Sequence, residues 1–434
     1  MLHPLQEMML KRREGKKVGI PSYCTANELA IEAILERAKE TGVPTLIEAT
    51  ANQVNQFGGY TGMKPQDFMD FVNKLAEIVG CSMDLVILAG DHLGPLTWSG
   101  EPEETAMAKS EELVYQYVKA GFTKIHLDTS MKLADDPVDV MLETEVIARR
   151  GVRLYEVCMK AYEELKAEKP DALRPVFIIG SEVPIPGGAQ EAEEGISVTK
   201  PEDFANTVDT YKRIFAEHGL SDAWSDIIAV VVQPGVEFGD AQIFMYDDKA
   251  ATELCAALKD YPEIVFEGHS TDYQSPTCLK NMVRDGIAIL KVGPALTFGL
   301  REALFALNMI EKELVDEEKQ SRFIDVVEEV MLENPKNWEK HYHGDDKAKA
   351  FARKYSFSDR SRYYMGDPKI GEAIETMFAN LTETEIPWNI LHQYMPVQYN
   401  KVRDGKLTLN PRELAKDGVV QFMEDYEYAV KEGE

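Results

Sequence analysis

Three histidines and several carboxylates of this chain stand where apolar runs break off. LAGDHLGP, residues 88–95, ends a run of hydrocarbon in Asp91 and His92; KIHLDTS carries His126 and Asp128; EGHSTD carries Glu267, His269, Ser270 and Asp272. Imidazoles and carboxylates without thiolates are donors suited to Zn2+, with Mn2+, Co2+ and Ni2+ as alternatives. A divalent ion with an open position polarises a carbonyl and stabilises an enediolate beside it, while a neighbouring carboxylate moves the proton. Asp91 and His92 supply an acid/base group and a metal ligand from adjacent positions.

Other apolar runs end in the same manner. TLIEATANQ leads to Glu48, Thr50, Asn52 and Gln53, PVFIIGSEVP to Glu182, VVVQPG to Gln233 and IAILKVGP to Lys291. The period of two puts His126 with Asp128, Glu267 with His269, and Glu48 with Thr50 on shared strand faces. A lone strand histidine is usually a hydrogen-bonded core residue, but that reading does not account for polar groups at the same end of successive strands. Lys291 reads as a cation for a phosphate or a sugar hydroxyl, with an imine-forming lysine as the weaker alternative. His341 and His343 lie in a charged stretch and read as a solvated loop.

Elements able to bring these residues together are legible in the runs themselves. They start near Val18, Thr45, Asp84, Lys124, Pro175, Asp226, Glu263 and Ile287, and are nearly continuous rather than alternating. That pattern suits parallel strands covered on both faces. Between them lie helical stretches such as ANELAIEAILERAKETG and EETAMAKSEELVYQYVKAG, stopped at Gly42 and Gly121. The rhythm predicts an α/β fold, a (β/α)8 TIM barrel over residues 1–315, whose catalytic groups sit at the C-terminal ends of the strands. A doubly wound open sheet competes, but the first strand is not followed by G-x-G-x-x-G. Residues 316–434 read as a mostly α-helical extension packed on the barrel. Within it, SFSDRSRYY places Arg360 and Arg362 either in packing contacts, the commoner use, or over the mouth against an anionic substrate.

Composition narrows the partners. The chain has 434 residues, 75 acidic against 47 basic, and a formal net charge of -28. That field repels nucleic acid and anionic membranes, and no apolar run is long enough to span a bilayer. The five cysteines are scattered and form no C-x-x-C pair, as expected for free thiols in the cytoplasm. MLHPLQEMMLKRREGKK lacks the apolar segment of a secretory signal.

LIEATANQVNQFGGYTGM, LAGDHLGP, KIHLDTSM, GSEVPIPGG, VVQPGVEF, EGHSTDYQ, ILKVGPALTFGLREALFAL and YSFSDRSRYY resemble the GatZ/KbaZ-type subunit of D-tagatose-1,6-bisphosphate aldolase, over nearly the whole chain. The resemblance implies kinship with class II, zinc-dependent ketose-bisphosphate aldolases, which are (β/α)8 barrels. It implies Asp91 as catalytic acid and His92 and His269 as metal ligands. Gln233 replaces a strand-6 histidine ligand, so Glu182, His126 or Asp128 would complete the shell, with Glu182, Asp128 or Glu267 assisting the proton transfer. Glu48, Asn52, Gln53, Gln233, Glu267, Ser270, Asp272 and Lys291 would face substrate. The glycine-rich phosphate loop expected after the strand-7 histidine is replaced by HSTDYQ, which leans towards an unphosphorylated ketohexose or a monophosphate.

Members of this family have been regarded as non-catalytic partners of a GatY/KbaY-type aldolase, and relatives interconvert D-fructose and D-tagatose as 4-epimerases. Retro-aldol cleavage between C3 and C4, followed by re-addition to the other face of the aldehyde, gives the C4 epimer. One set of residues therefore serves aldolase or epimerase. A kinase label, also applied in the family, finds no nucleotide-phosphate cradle here. A symmetric homo-oligomer is a common state for such enzymes.

Overall fold

Eight parallel strands hydrogen-bond into a closed ring in the computed structural model, which describes residues 2–180 and 196–432. They are β1 (Ile20–Cys24), β2 (Thr45–Thr50), β3 (Val86–Leu93), β4 (Lys124–Leu127), β5 (Val176–Ile179), β6 (Ile227–Val232), β7 (Val265–Gly268) and β8 (Ile287–Val292). Each pairs with its neighbour in sequence, and β8 closes on β1 through Ile20 opposite Ile289 and Ser22 opposite Lys291. The fold is the expected (β/α)8 barrel. Outward side chains such as Ile47, Ile125 and Phe177 pack on the surrounding helices, which is why the runs are apolar on both faces. The Glu28–Thr41 helix shows how local signals set the boundaries. The Asn27 side chain accepts from the Ala30 N–H at its start, and Gly42 takes a left-handed φ of 65° at its end.

Inside, the N-terminal half of the barrel is hydrocarbon. Leu46, Ile87, Val176, Ile178, Val231 and Ile289 form a cluster separate from the outer core. It is closed from below by the Pro4–Arg13 helix, which inserts Leu5, Met8 and Met9. His3 caps that helix: its Nδ1 accepts from the Leu5 N–H at 3.1 Å, and its other ring nitrogen lies 3.1 Å from Thr123 Oγ1. The segment read only as lacking a signal sequence is thus the stopper of the barrel.

One further element departs from expectation. A two-stranded hairpin, Glu237–Phe238 with Ile243–Phe244, interrupts the path from β6 to β7. The stretch before SFSDRSRYY holds a helix, Asp346–Tyr355, capped by the Asp345 carboxylate. Among the C-terminal helices, Pro411–Val430 lies along Pro294–Leu314, and Gly418 and Gly299 meet there so closely that a Cβ on either would strike the other's carbonyl oxygen at 2.3 Å. Tyr426 of this helix donates its hydroxyl to the Thr271 carbonyl at 2.8 Å, fastening the loop after β7. No helix among the described residues is long and apolar enough to cross a membrane.

Candidate metal centre at the barrel mouth

Neighbouring strand residues ordinarily point to opposite faces, yet Asp91 and His92 both turn into the barrel. The β3–β4 register shifts between Gly90 and Leu93, and His92 adopts a left-handed φ of 48°. Such an irregularity re-aims a side chain at some cost in backbone strain. The His92 N–H then donates to His126 Nδ1 at 3.2 Å, and His92 Nδ1 lies 2.9 Å from Asp128 Oδ2. Asp128 also accepts from the Ser130 N–H and hydroxyl. Burial pushes the Asp128 carboxyl up, but the His92 hydrogen bond and charge outweigh it and hold the group below the usual carboxylate range.

His126 is anchored from its other side, with Nε2 2.9 Å from the Gly180 carbonyl oxygen. A carbonyl only accepts, so Nε2 carries the proton and Nδ1 presents a lone pair. Burial pushes the His126 pKa down to about 4, which keeps the ring neutral at pH 7. Nδ1 nevertheless lies 2.8 Å from Asp91 Oδ1. A lone pair and a carboxylate oxygen at that separation call for a positive charge beside them. Lys291 brings its ammonium against the other Asp91 oxygen.

A second charged layer underlies this one. Lys124 Nζ donates to Glu48 Oε1 at 2.8 Å and to Glu267 Oε1 at 3.0 Å, and all three side chains are fully enclosed. The remaining Glu48 oxygen accepts from the Ser22 hydroxyl. Burial opposes charge on each of the three, but their mutual attraction prevails, raising the Lys124 pKa and lowering those of Glu48 and Glu267. Glu267 passes this order upward, its Oε1 lying 3.0 Å from His269 Nε2.

Asp91, His126, Glu267 and His269 each offer a donor atom, and those atoms lie within 4.8 Å of one another; His92, His126 and Asp128 form a second such group. The three imidazole rings stand 5.0–5.4 Å apart. Among the described residues the buried His92 Nε2 has no hydrogen-bond partner, its nearest carboxylate oxygen being Asp91 Oδ2 at 3.3 Å. Oxygen and imidazole donors, anchored on their far sides by carboxylates and a carbonyl, fit a divalent cation of the Zn2+ or Mn2+ kind.

A cavity of about 620 Å3 opens above, lined by His92, His269 and Lys291 and by Asn52, Gln53, Ser270 and Asp272. Other expected substrate contacts lie elsewhere. Glu48 and Glu267 are not on the cavity wall but belong to the buried Lys124 layer, because their positions on β2 and β7 are one layer deeper. The Gln233 side-chain Oε1 turns back onto its own loop, accepting from the Gly235 and Val236 N–H groups. Glu182 lies outside the described residues. His126 and His269 fall in the first donor group and His92 in the second, while Asp91, expected as an acid, joins the donors. Lys124 was missed; counting back by two from His126 on KIHLD would have turned it inward. Ser22 gave no signal of its own. Arg362 also lines the cavity, whereas Arg360 is buried against the Asn337 carbonyl.

These features define a class, a (β/α)8 barrel with a histidine–carboxylate centre at the C-terminal ends of its strands. Within that class the chain belongs to the D-tagatose-1,6-bisphosphate aldolase subunit GatZ/KbaZ-like family, whose model matches residues 5–431. A solved structure described as a probable tagatose 6 phosphate kinase, from Sinorhizobium meliloti 1021, is similar with 42% identity and a TM-score of 0.86, over 95% of this chain and 100% of that one. Weaker matches include the fructose-bisphosphate aldolase of Campylobacter jejuni, with 16% identity and TM-score 0.43 over 88% of this chain and 95% of that one. The YdjI aldolase of Escherichia coli K12 gives 12% identity and TM-score 0.41, over 86% and 100%.

Proposed function

We propose that the chain is a divalent-metal-dependent enzyme that acts between C3 and C4 of a ketohexose or its phosphate by retro-aldol and aldol chemistry. D-Tagatose/D-fructose 4-epimerisation and cleavage of D-tagatose 1,6-bisphosphate are the two reactions this supports. The carrying observation is the donor cluster Asp91, His126, Glu267 and His269 beneath a substrate-sized cavity. His126, Glu267 and His269 would hold the ion, with His92 beside them and Asp91 left free for the proton. When bound, such an ion supplies Lewis acidity towards a substrate carbonyl oxygen. Asp91, between His126 and Lys291, is the carboxylate that exchanges the C4 hydroxyl proton. His92, steered by Asp128, holds the far side of the reacting carbon chain. Glu267, fixed by Lys124, orients His269. Asn52, Gln53, Ser270 and Asp272 offer hydrogen bonds to sugar hydroxyls from the cavity wall.

In this reading residues 1–315 do the chemistry and the helices of 316–434 close over them, in a cytoplasmic protein with reduced thiols. A second reading is supported by the family's description as an aldolase subunit. In it the barrel stabilises a separate GatY/KbaY-type aldolase and turns nothing over.

The test strips the purified protein of metal, restores Zn2+, Mn2+, Co2+ or Ni2+, and supplies D-fructose or D-tagatose 1,6-bisphosphate. Metal-dependent formation of tagatose marks the epimerase, and triose phosphates mark the aldolase. Asp91→Ala and His269→Ala are expected to lower either rate by about 100-fold or more. Wild-type protein that is silent on both substrates with metal bound would refute the enzymatic reading and favour the subunit reading.

A further inference from the structure

Arg362 is the cavity-lining cation that forms no ion pair among the described residues, although the charges of Asp359 and Asp272 reach it. In a chain with 75 acidic residues and 47 basic ones, that is an exception requiring a reason. Its cavity neighbours are neutralised: Lys291 meets Asp91, and Arg412 reaches Glu32 at 2.8 Å. The acids closest to Arg362 in charge and in sequence are committed elsewhere. Asp359 accepts from Arg301 Nε at 2.9 Å, from the Thr297 hydroxyl at 2.6 Å and from the Ser361 hydroxyl at 2.8 Å. Asp272 accepts from the Gly293 and Ala295 N–H groups at 3.0 and 2.8 Å.

The second of these commitments carries a message of its own. In (β/α)8 barrels the helix start after the last strand is a usual place for a substrate phosphate, because backbone N–H groups converge there. Here that place is filled by the protein's own Asp272 carboxylate. An anionic substrate group must therefore find its positive partner elsewhere on the cavity wall.

Arg362 is prepared for that role. Nη1 donates to the Ser358 and Asp359 carbonyl oxygens, and Nη2 donates to the Tyr363 hydroxyl at 2.9 Å. Its guanidinium lies 4.4 Å from the centre of the Tyr363 ring, and that ring meets Tyr60 of the loop after β2 edge-on at 4.9 Å. The three bonds occupy three of the five N–H groups, so two donors remain for a ligand. Backbone carbonyls and an aromatic face hold the fork without cancelling its charge.

We propose that Arg362 is the residue of the substrate site that grips the terminal phosphate or carboxylate of an anionic ketohexose derivative. This rests on the ketohexose reading above and names the residue that sets the preference for an anionic ligand within it. The specificity determinant then comes from the C-terminal helical region and not from the barrel rim.

Binding is measured by calorimetry on the metal-replete full chain with D-fructose, D-fructose 6-phosphate and the C6 carboxylate analogue of fructose. Wild-type protein binds at least one anionic ligand about 10- to 100-fold more tightly than fructose. The preference weakens as salt is raised, whereas fructose binding does not. Arg362→Gln abolishes the preference and leaves fructose affinity within about twofold; Arg362→Lys, which keeps charge without the fork, retains part of it. The stronger of the two anions identifies the terminal group. Equal affinities for all three ligands, a preference that survives in Arg362→Gln, or equal losses for charged and neutral ligands would each overturn the proposal. Should Arg362→Gln fail to fold, the salt dependence in wild type and the Arg362→Lys comparison decide. An Arg362-dependent preference without turnover would sink the enzymatic reading alone, while turnover of fructose with no anion preference would sink this one alone.

Discussion

The two ends of the barrel are built from the same strands and solve opposite problems. At the N-terminal end the inward side chains are Leu46, Ile87, Val176 and Ile289, and Leu5, Met8 and Met9 plug the opening. A few residues further along, the inward positions become Glu48, Asp91, Lys124, His126, Glu267 and Lys291, all buried and nearly all paired. Hydrocarbon at one end gains from leaving water, at about 25 cal/mol per Å2. Charge at the other end loses hydration and is tolerated only through close partners. The plug therefore stabilises, and the mouth holds charges poised for a ligand.

The sharpest way to break this contrast is Lys124→Met, which leaves Glu48 and Glu267 as buried carboxylates facing one another. It is expected to cost about 3–5 kcal/mol, read as a shift of the urea midpoint. Adding Glu48→Gln and Glu267→Gln should recover much of that stability without recovering metal affinity, because His269 has lost its carboxylate. A triple variant still as unstable as the single one would show that the layer matters for packing and not for charge.

Leu5→Ala acts at the other end and should cost about 3 kcal/mol through the space it opens below β2 and β6. On the enzymatic reading proposed above, the variant should keep wild-type metal affinity and turnover below its lowered melting temperature. Loss of metal in a folded Leu5→Ala protein would mean that the two ends are not separable.

A smaller effect is expected from pH. Burial pushes the His3 pKa from 6.5 down to about 4 in the folded chain. The unfolded chain therefore takes up the proton first, and stability contributed by neutral His3 is complete above pH 6.5 and falls as pH drops towards 4. Roughly 2 kcal/mol should be lost between pH 6.5 and pH 5. His3→Asn, which keeps a side-chain cap without the titration, should flatten that slope in denaturation midpoints taken across the range.

The barrel was legible in the sequence because parallel strands covered on both faces need continuous apolar runs, and the runs at Thr45, Asp84 and Asp226 show it plainly. The mouth was legible because polar residues at the same end of successive runs are improbable in a core. The plug was not. PLQEMMLKRR has too few apolar residues to announce a buried helix, and its partners on β3, β6 and β8 are remote in sequence. Lys124 was hidden for a related reason: a lysine opening a strand is ordinarily solvent-facing, and Glu48 and Glu267 are 76 and 143 residues away. Arg362 could be singled out, but its lack of an acidic partner is visible only in three dimensions.

The Tyr426–Thr271 contact gives the mouth a history as well as a shape. Thr271 waits for a partner 155 residues downstream. At ordinary rates of translation that interval is roughly 8–30 s. For most of it the eight strands of the ring are already synthesised while the loop beside His269 is still unfastened. The loop beside His269 thus takes its fastened form only once the helix carrying Tyr426 has docked.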